Sequence, residues 1–198
     1  MKVRQIFETA NYRKNTGLDN IHICPACGNP FQFIDDNGTK RPKCPTCGFV
    51  YYRNPAPAVS ILIEHNNRIL LGKRGSESFL PGKWCLPCGF IEFDEDFLSA
   101  AVREVKEETG LEVSVQSIIN VCSNFLSSEI HSLVIVLLAN ITGGTLAAGD
   151  DLESVAWFDF NGTLPEMAFA ADISIIQRYQ AQKIEGLPID SGFLLSVK

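Results

Sequence analysis

The chain has 198 residues, a formal net charge of −6 and a hydrophobic content of 45%. This is the composition of a globular protein with room for one medium domain and one small module. The negative charge gives no general attraction to nucleic acid or to an anionic membrane. The N-terminus has interspersed charges, and the longest apolar run, residues 133–139, is too short to cross a bilayer. We therefore expect a soluble cytoplasmic protein that binds neither a membrane nor nucleic acid.

Two short cysteine motifs, CPACG and CPTCG, follow the N-terminal segment. Their pattern, C-x2-C-x16-C-x2-C, is typical of a Zn²⁺ site with four thiolates. The glycine after each motif lets the chain turn, so that both sulfurs face one ion. An Asp-Asp-Asn-Gly sequence between the motifs predicts a hairpin. We predict an N-terminal extension over residues 1–21 and a zinc ribbon over residues 22–53, with two disulfides or four free thiols as alternatives. The predicted ligands are Cys24, Cys27, Cys44 and Cys47.

The predicted ribbon is locally basic, with Lys40, Arg41, Lys43 and Arg53. Four cations without interleaved aromatic residues are few for a nucleic-acid surface. We expect the ribbon to have a structural or dimer-forming role, with contact to nucleic acid as the alternative. A ribbon hairpin is a natural contact surface between two copies of a chain, and a homodimer is expected.

A connector with two prolines, at residues 55 and 57, separates the ribbon from a region of different pattern. Two apolar runs flank residues 65–68 and predict a hairpin. Helical periodicity then covers Phe97 to Thr109 and ends at Gly110, which suits a C-terminal cap. Strands are expected near residues 113–121, 133–140 and 155–160, and a second helix over 171–183. The predicted fold class is α+β.

The segment GFIEFDEDFLSAAVREVKEETGL, residues 89–111, is unusually acidic. On a helix, Glu104, Glu107 and Glu108 lie within an arc of about 100°. Like charges at this spacing weaken a helix, and they lie where the helix dipole disfavours anions. A solvated acidic face is one explanation. A site for Mg²⁺ or Mn²⁺ is the better one, because these ions prefer carboxylate oxygens and remove the repulsion.

The same segment resembles the Nudix box, G-x5-E-x7-R-E-V-x-E-E-x-G-L, at every defining position. This resemblance implies a Nudix-type α/β/α sandwich with a mixed sheet, which we place at residues 54–185, followed by a tail over 186–198. It also implies metal-dependent hydrolysis of a nucleoside diphosphate linked to another group, X. The products would be a nucleoside monophosphate and X-phosphate.

The resemblance also implies roles for individual residues. Glu104, Glu107 and Glu108 would bind Mg²⁺ or Mn²⁺, and the backbone carbonyl of Cys88 would add one ligand. Arg103 would pair with Glu95 and hold the loop on the helix. Gly89 would let the backbone approach the metal.

Three further residues are candidates for the chemistry. Family members often take a catalytic base from the loop before a strand with an aromatic pair, here GDDLESVAWF. Asp151 and Glu153 are the candidates there, and an exposed acidic loop is the alternative for each. Arg74, at the end of an apolar strand, is a candidate phosphate contact or a surface arginine.

A ribbon joined to a Nudix domain resembles two groups. NADH pyrophosphatases carry an aromatic, proline-rich signature after the box, which residues 115–132 lack. A smaller group, acting on FAD and ADP-ribose, is closer in length and connector, although Leu126 stands where many ADP-ribose pyrophosphatases have proline. Two hypotheses of a different kind stay open. One is a Nudix-fold isopentenyl diphosphate isomerase, suggested by Cys85 and Cys88, and the second is a non-catalytic ligand sensor with a partner-binding ribbon.

Overall fold

The computed structural model describes residues 7–8, 21–127 and 130–190. Thirteen helices and strands fall within these ranges. In chain order they are β1 Phe7–Glu8, β2 Gln32–Asp36, β3 Thr39–Lys43, β4 Ala56–His65, β5 Arg68–Arg74, β6 Trp84–Cys85, β7 Cys88–Phe90, α1 Phe97–Thr109, β8 Leu111–Phe125, β9 His131–Gly144, β10 Leu152–Asp159, α2 Ala170–Gln182 and β11 Leu187–Pro188.

A mixed sheet forms the body of the fold, with strand order β1-β8-β9-β4-β5-β10 in the described part of the chain. The strands β8 and β9 pair antiparallel, whereas β4 pairs parallel with β9. The predicted hairpin is present as β4 and β5, and β5 also pairs with β10. Three short strands pair outside this order, since β6 pairs β5, β7 pairs β4 and β11 pairs β8.

The central strand β4 is buried on both faces and separates two apolar cores. Val59, Ile61 and Ile63 pack with the helix α1. Ala58 and Leu62, which alternate with them, pack with the helix α2. Successive side chains of a strand point to opposite faces, so one strand supports both helices. The predicted mixed sheet between helices is therefore confirmed.

The strands β2 and β3 form a separate two-stranded ribbon, as the sequence predicts. Their turn has Asn37 at φ 53° and Gly38 at φ 84°. Two successive residues with positive φ match a type I′ turn, for which Asn-Gly is the favoured pair.

The predicted elements agree with the structure in kind and differ at their ends. The first helix has the predicted bounds, Phe97–Thr109, and the second begins and ends one residue earlier than expected. The strands β8 and β9 extend beyond the predicted ranges on both sides. The domain boundaries at residues 21/22, 53/54 and 185/186 stay predictions, and most of the N-terminal extension and residues 191–198 of the tail lie outside the described residues.

Candidate active site

The helix α1 is fixed at both ends. The side chain of Asp96 accepts hydrogen bonds from the backbone N–H groups of Leu98 and Ser99, at 2.8 and 2.9 Å. Gly110 follows the helix with φ 70° and donates to Lys106 O. An Asp cap and a left-handed glycine satisfy groups that the helix ends leave unpaired. Lys106 pairs with Glu112, away from the other acidic side chains of the helix.

The three predicted metal-binding glutamates line one cavity of about 490 Å³. Glu104 and Glu108 are only 7% and 1% exposed, whereas Glu107 is exposed. A fully solvated acidic face is therefore wrong for two of the three. Burial raises the pKa of both Glu104 and Glu108, because removal from water disfavours the charged form. The fold thus holds carboxylates where a positive partner would stabilise them.

Arg103 links the helix to the loop before it. Its Nε donates to Glu95 Oε2 at 3.0 Å, and its Nη2 donates to Phe90 O at 3.0 Å. Its Nη1 donates to Glu104 at 2.8 Å and to Glu107 at 3.0 Å. The Arg103 hydrogen bond lowers the pKa of Glu95, as expected for a carboxylate beside a cation. The predicted pair of Arg103 with Glu95 is present, and it connects the loop to the acidic face.

The loop approaches the glutamates closely at two backbone positions. Cys88 N donates to Glu108 Oε2 at 2.9 Å. A Cβ atom added to Gly89 would collide with the carboxylate of Glu104. Only glycine leaves room for that carboxylate, so the structure gives a steric reason for the residue.

Arg74 and Asp151 form an ion pair at the cavity wall. The Nη2 atom of Arg74 lies 3.1 Å from Asp151 Oδ2. Arg74 is buried, so the alternative of a surface arginine is wrong. It also donates to Phe79 O and lies over the ring of Phe169, at 5.6 Å from its centroid. These contacts fix its guanidinium beside the acidic loop.

The second base candidate, Glu153, lies elsewhere. It pairs with Lys73, and it does not belong to the lining of the glutamate cavity among the described residues. It borders a more open groove with Asp151 and Ser78. The structure therefore brings Asp151 to the glutamates and leaves Glu153 outside.

Sequence reasoning missed several polar residues of the cavity. Asp150 lines it with φ 49°, and Asp172 lines it while accepting from Leu86 N at 3.0 Å. Ser60, Asn124 and Ser132 line it from the sheet. The three strand residues were missed because polar residues on a strand that faces a cavity look like loop residues in the sequence.

The four predicted zinc ligands meet at one point. Their sulfur atoms all lie within 4.8 Å of one another, with Cys24 and Cys47 at 3.7 Å and Cys27 and Cys44 at 3.5 Å. Sulfurs at about 2.3 Å from a tetrahedral Zn²⁺ are about 3.8 Å apart, so the cluster fits this ion. All four thiols are free, which excludes the disulfide alternative in this structure. Hydrogen bonds led by that from the Asn29 side chain lower the pKa of Cys27 to about 6.

The glutamates present a looser arrangement than the thiols. Within the described ranges, the cysteines are the one group of metal-ligating side chains gathered within 4.8 Å. Arg103 Nη1 lies between Glu104 and Glu107. Carboxylates fit Mg²⁺ or Mn²⁺. An ion bound to Glu104 and Glu107 would compete with Arg103 for these two carboxylates, whereas the pair of Arg103 with Glu95 would stay.

Comparisons with known proteins identify the family. The model of the NUDIX domain matches residues 54–179. The ADP-ribose pyrophosphatase of Methanocaldococcus jannaschii is 42% identical over 133 residues, covering 67% of this chain and 77% of the relative. The NAD-capped RNA hydrolase NudC of Chromobacterium violaceum is 30% identical over 155 residues, covering 77% of this chain. This chain spans only 55% of that relative's length.

A solved structure agrees with these matches. The crystal structure of a NUDIX hydrolase from Nitrosomonas europaea superposes with a TM-score of 0.72 at 27% identity, covering 85% of this chain and 95% of that one. The chain therefore belongs to the NUDIX family. The predicted family, fold and enzyme class, a Nudix pyrophosphohydrolase, are confirmed. Among the described residues no helix is both long enough and apolar enough to cross a membrane.

Proposed function

We propose that this chain hydrolyses the diphosphate bond of an adenosine diphosphate linked to X, with ADP-ribose and FAD as the substrates to test first. The products are AMP and X-phosphate. The observation that supports this most is the burial of Glu104 and Glu108 at the wall of a cavity of about 490 Å³. The 42% identical relative is named as an ADP-ribose pyrophosphatase.

The acidic face of α1 holds the metal in this proposal. Glu104, Glu107 and Glu108 provide carboxylate oxygens, and the Cys88 carbonyl provides one more ligand. Bound Mg²⁺ or Mn²⁺ supplies neutralisation of the diphosphate charge and activation of water. Hydrogen bonds hold the two buried carboxylates in place. Cys88 N donates to Glu108, and Arg103 donates to Glu104.

Arg103 and Glu95 are positioning residues. Their contacts tie the loop of Gly89 and Phe90 to the helix, so that loop and carboxylates face the same cavity. Arg103 also balances part of the negative charge of the glutamates. Loss of this link would misplace the loop without removing a metal ligand.

Asp151 is the favoured general base, with Glu153 as the second candidate. Asp151 lies in the cavity lining and pairs with Arg74, whereas its Oδ1 is buried without a hydrogen-bond partner in the described structure. Arg74 orients this carboxylate and brings a positive charge to the substrate phosphates. A base in this position accepts the proton of the attacking water.

We extend the proposal to the ribbon, the oligomeric state and the cellular location of the protein. The four cysteines bind structural Zn²⁺, the chain forms a homodimer, and it works in the cytoplasm on a nucleotide rather than on nucleic acid or a membrane. NAD-type dinucleotides are the second candidate substrates, favoured by the similarity to an NAD-capped RNA hydrolase.

The test is a panel of ADP-ribose, FAD, NADH, NDP-sugars and nucleoside triphosphates, each with Mg²⁺ or Mn²⁺ and with products separated by chromatography. Glu108→Gln removes one predicted ligand. Glu112→Gln is the matched control, because Glu112 pairs with Lys106 outside the cavity lining. AMP from ADP-ribose or FAD is expected with wild type and with the control, and it is expected to disappear in Glu108→Gln.

Two results would contradict the proposal. One is full activity of Glu108→Gln. The other is binding of a panel compound without cleavage under either ion, which would favour a non-catalytic ligand sensor.

A further inference from the structure

The cavity has a floor on the sheet, in addition to its wall on the acidic helix. Alternate residues of three neighbouring strands form this floor, because β4, β8 and β9 are adjacent in the sheet. Ala58 and Cys122 both pair with Val134, and Asn124 pairs with Ser132. The floor residues in the cavity lining are Ala58, Ser60, Cys122, Asn124, Ser132 and Val134. None of these six carries a charge.

Two polar atoms of this floor are buried without hydrogen-bond partners in the described part of the chain. They are Asn124 Oδ1 and Ser60 Oγ. Asn124 is 7% exposed and Ser60 is 4% exposed. Buried polar groups in folded proteins are almost always paired, and the unpaired amide oxygen of Asn124 at a cavity wall is open to a donor from a ligand.

The rest of the cavity gives the orientation of that ligand. The cations in its lining, Arg74 and Arg103, are both engaged with carboxylates. The proposed function places the phosphates at the acidic helix, together with divalent ions and beside the pair of Arg74 with Asp151. The neutral floor suits an uncharged planar group, and the side chains of Phe79 and Phe169 belong to the same lining.

We propose that Asn124 is a specificity-determining residue that pairs with the amino-bearing edge of an adenine base lying on the floor. A carboxamide offers one acceptor and one donor side by side, which matches the 6-amino group and N7 of adenine. Hypoxanthine presents two acceptors, O6 and N7, at the same edge, so a carboxamide in either orientation leaves one of them without a donor. This inference deepens the proposed function and rests on it for the identity of the substrates.

The first measurement compares ADP-ribose with its hypoxanthine analogue, inosine diphosphate ribose. Wild type is expected to favour ADP-ribose in kcat/KM by about 10-fold or more, the range of one good bidentate base contact. Asn124→Ala is expected to reduce this preference to about 2-fold, chiefly by raising KM for ADP-ribose. Asn120→Ala is the matched control, because Asn120 lies on the same strand and outside this cavity lining.

The second measurement needs no catalysis. Binding of AMP and of IMP to the full-length protein with Mg²⁺ is followed by calorimetry, with wild type expected to favour AMP and Asn124→Ala expected to lose this preference. If nothing in the substrate panel is cleaved but AMP is still favoured through Asn124, the hydrolase proposal fails and the base assignment stands. If ADP-ribose is cleaved and Asn124→Ala leaves both preferences unchanged, the base assignment fails alone.

Folding is checked by thermal unfolding of every variant. Asn124→Leu, which keeps the volume without hydrogen bonds, replaces Asn124→Ala if the latter does not fold. The assignment to adenine would be overturned by one further result. In that result the Asn124 variant keeps the wild-type preference for adenine over hypoxanthine but changes the preference between nicotinamide and nicotinic acid dinucleotides.

Discussion

The substitution Gly89→Ala tests the contact between the loop and the acidic helix. The added Cβ would fall on the carboxylate of Glu104, whereas uncrowded non-bonded atoms lie about 3.5–4.0 Å apart. Glu104 would therefore move by about 1 Å or more. A displacement of this size in a catalytic site costs on the order of 100-fold in rate. That factor equals about 2.7 kcal/mol of transition-state free energy.

The cost in folding is expected to be much smaller. Moving Glu104 weakens its ion pair with Arg103, which is partly exposed, and such pairs contribute about 1 kcal/mol or less. Activity and stability should therefore separate in this variant. The assay is kcat and KM for ADP-ribose over a Mg²⁺ titration, with urea unfolding measured on the same samples.

The matched control is Gly38→Ala in the ribbon turn. A Cβ at Gly38 would meet nothing within 4 Å, but φ is +84°, so the change costs about 1–2 kcal/mol in backbone strain and should leave activity intact. If Gly89→Ala kept activity within about 3-fold of wild type, less than 1 kcal/mol in the barrier, the steric argument would be refuted.

Three further predictions concern the base, the zinc and one titrating side chain. Asp151→Asn should lower kcat by about 100-fold or more, and Glu153→Gln should lower it by less than about 3-fold. Single-turnover kinetics of both variants measure this difference. A larger loss in Glu153→Gln than in Asp151→Asn would make Glu153 the base. Purified protein should contain about one zinc per chain by elemental analysis, and Cys27→Ala should lose it while retaining Mg²⁺-dependent hydrolysis; zinc retained in that variant would contradict a four-thiolate site. Burial, and then the hydrogen bond to Glu64 at 2.9 Å, raise the pKa of Tyr179 to about 12. The stabilisation from the neutral phenol is therefore fully present below about pH 10 and lost as the pH rises to about 12. Tyr179→Phe should cost about 1 kcal/mol in urea unfolding at pH 8 and less at pH 11.5, and a cost independent of pH would exclude this titration.

The helix α1 could be predicted closely, because its information is local. Leu98, Ala101 and Val105 recur at helical spacing, and Gly110 ends the helix with the left-handed conformation that few other residues adopt. The cluster of four cysteines was equally accessible, since its members come in two short motifs. In both cases neighbours in the sequence are neighbours in the structure.

The burial of Glu104 and Glu108 was not accessible in this way. Their helical positions predict a shared face, but the loop of Cys88 and Gly89 and the strands beneath decide that this face is removed from water. Long-range packing of this kind leaves no mark in a single sequence. The same holds for the burial of Arg74. Its ion-pair partner Asp151 comes after α1 in the sequence, whereas Arg74 comes before it.

At Asn124 the local sequence signal was misleading, because it pointed to the wrong end for the strand β8. The strand β8 continues to Phe125 through Ser123 and Asn124, although polar residues there suggest that the strand has ended. Alternation from Cys122 to Asn124 was the available clue, since it places both on one face of the sheet.

The parallel pairing of β4 with β9 has a consequence for folding kinetics. These partners lie on opposite sides of α1 and β8 in the chain, so their hydrogen bonds close a long loop, whereas the β8–β9 hairpin is local. Non-local pairings of this kind form slowly, because loop-closure entropy precedes the contacts that compensate for it. The floor is built from both β4 and β9, so its ligand-binding surface comes into existence only in this late step. A chain emerging from the ribosome can complete its thiolate cluster long before it is able to recognise a nucleotide.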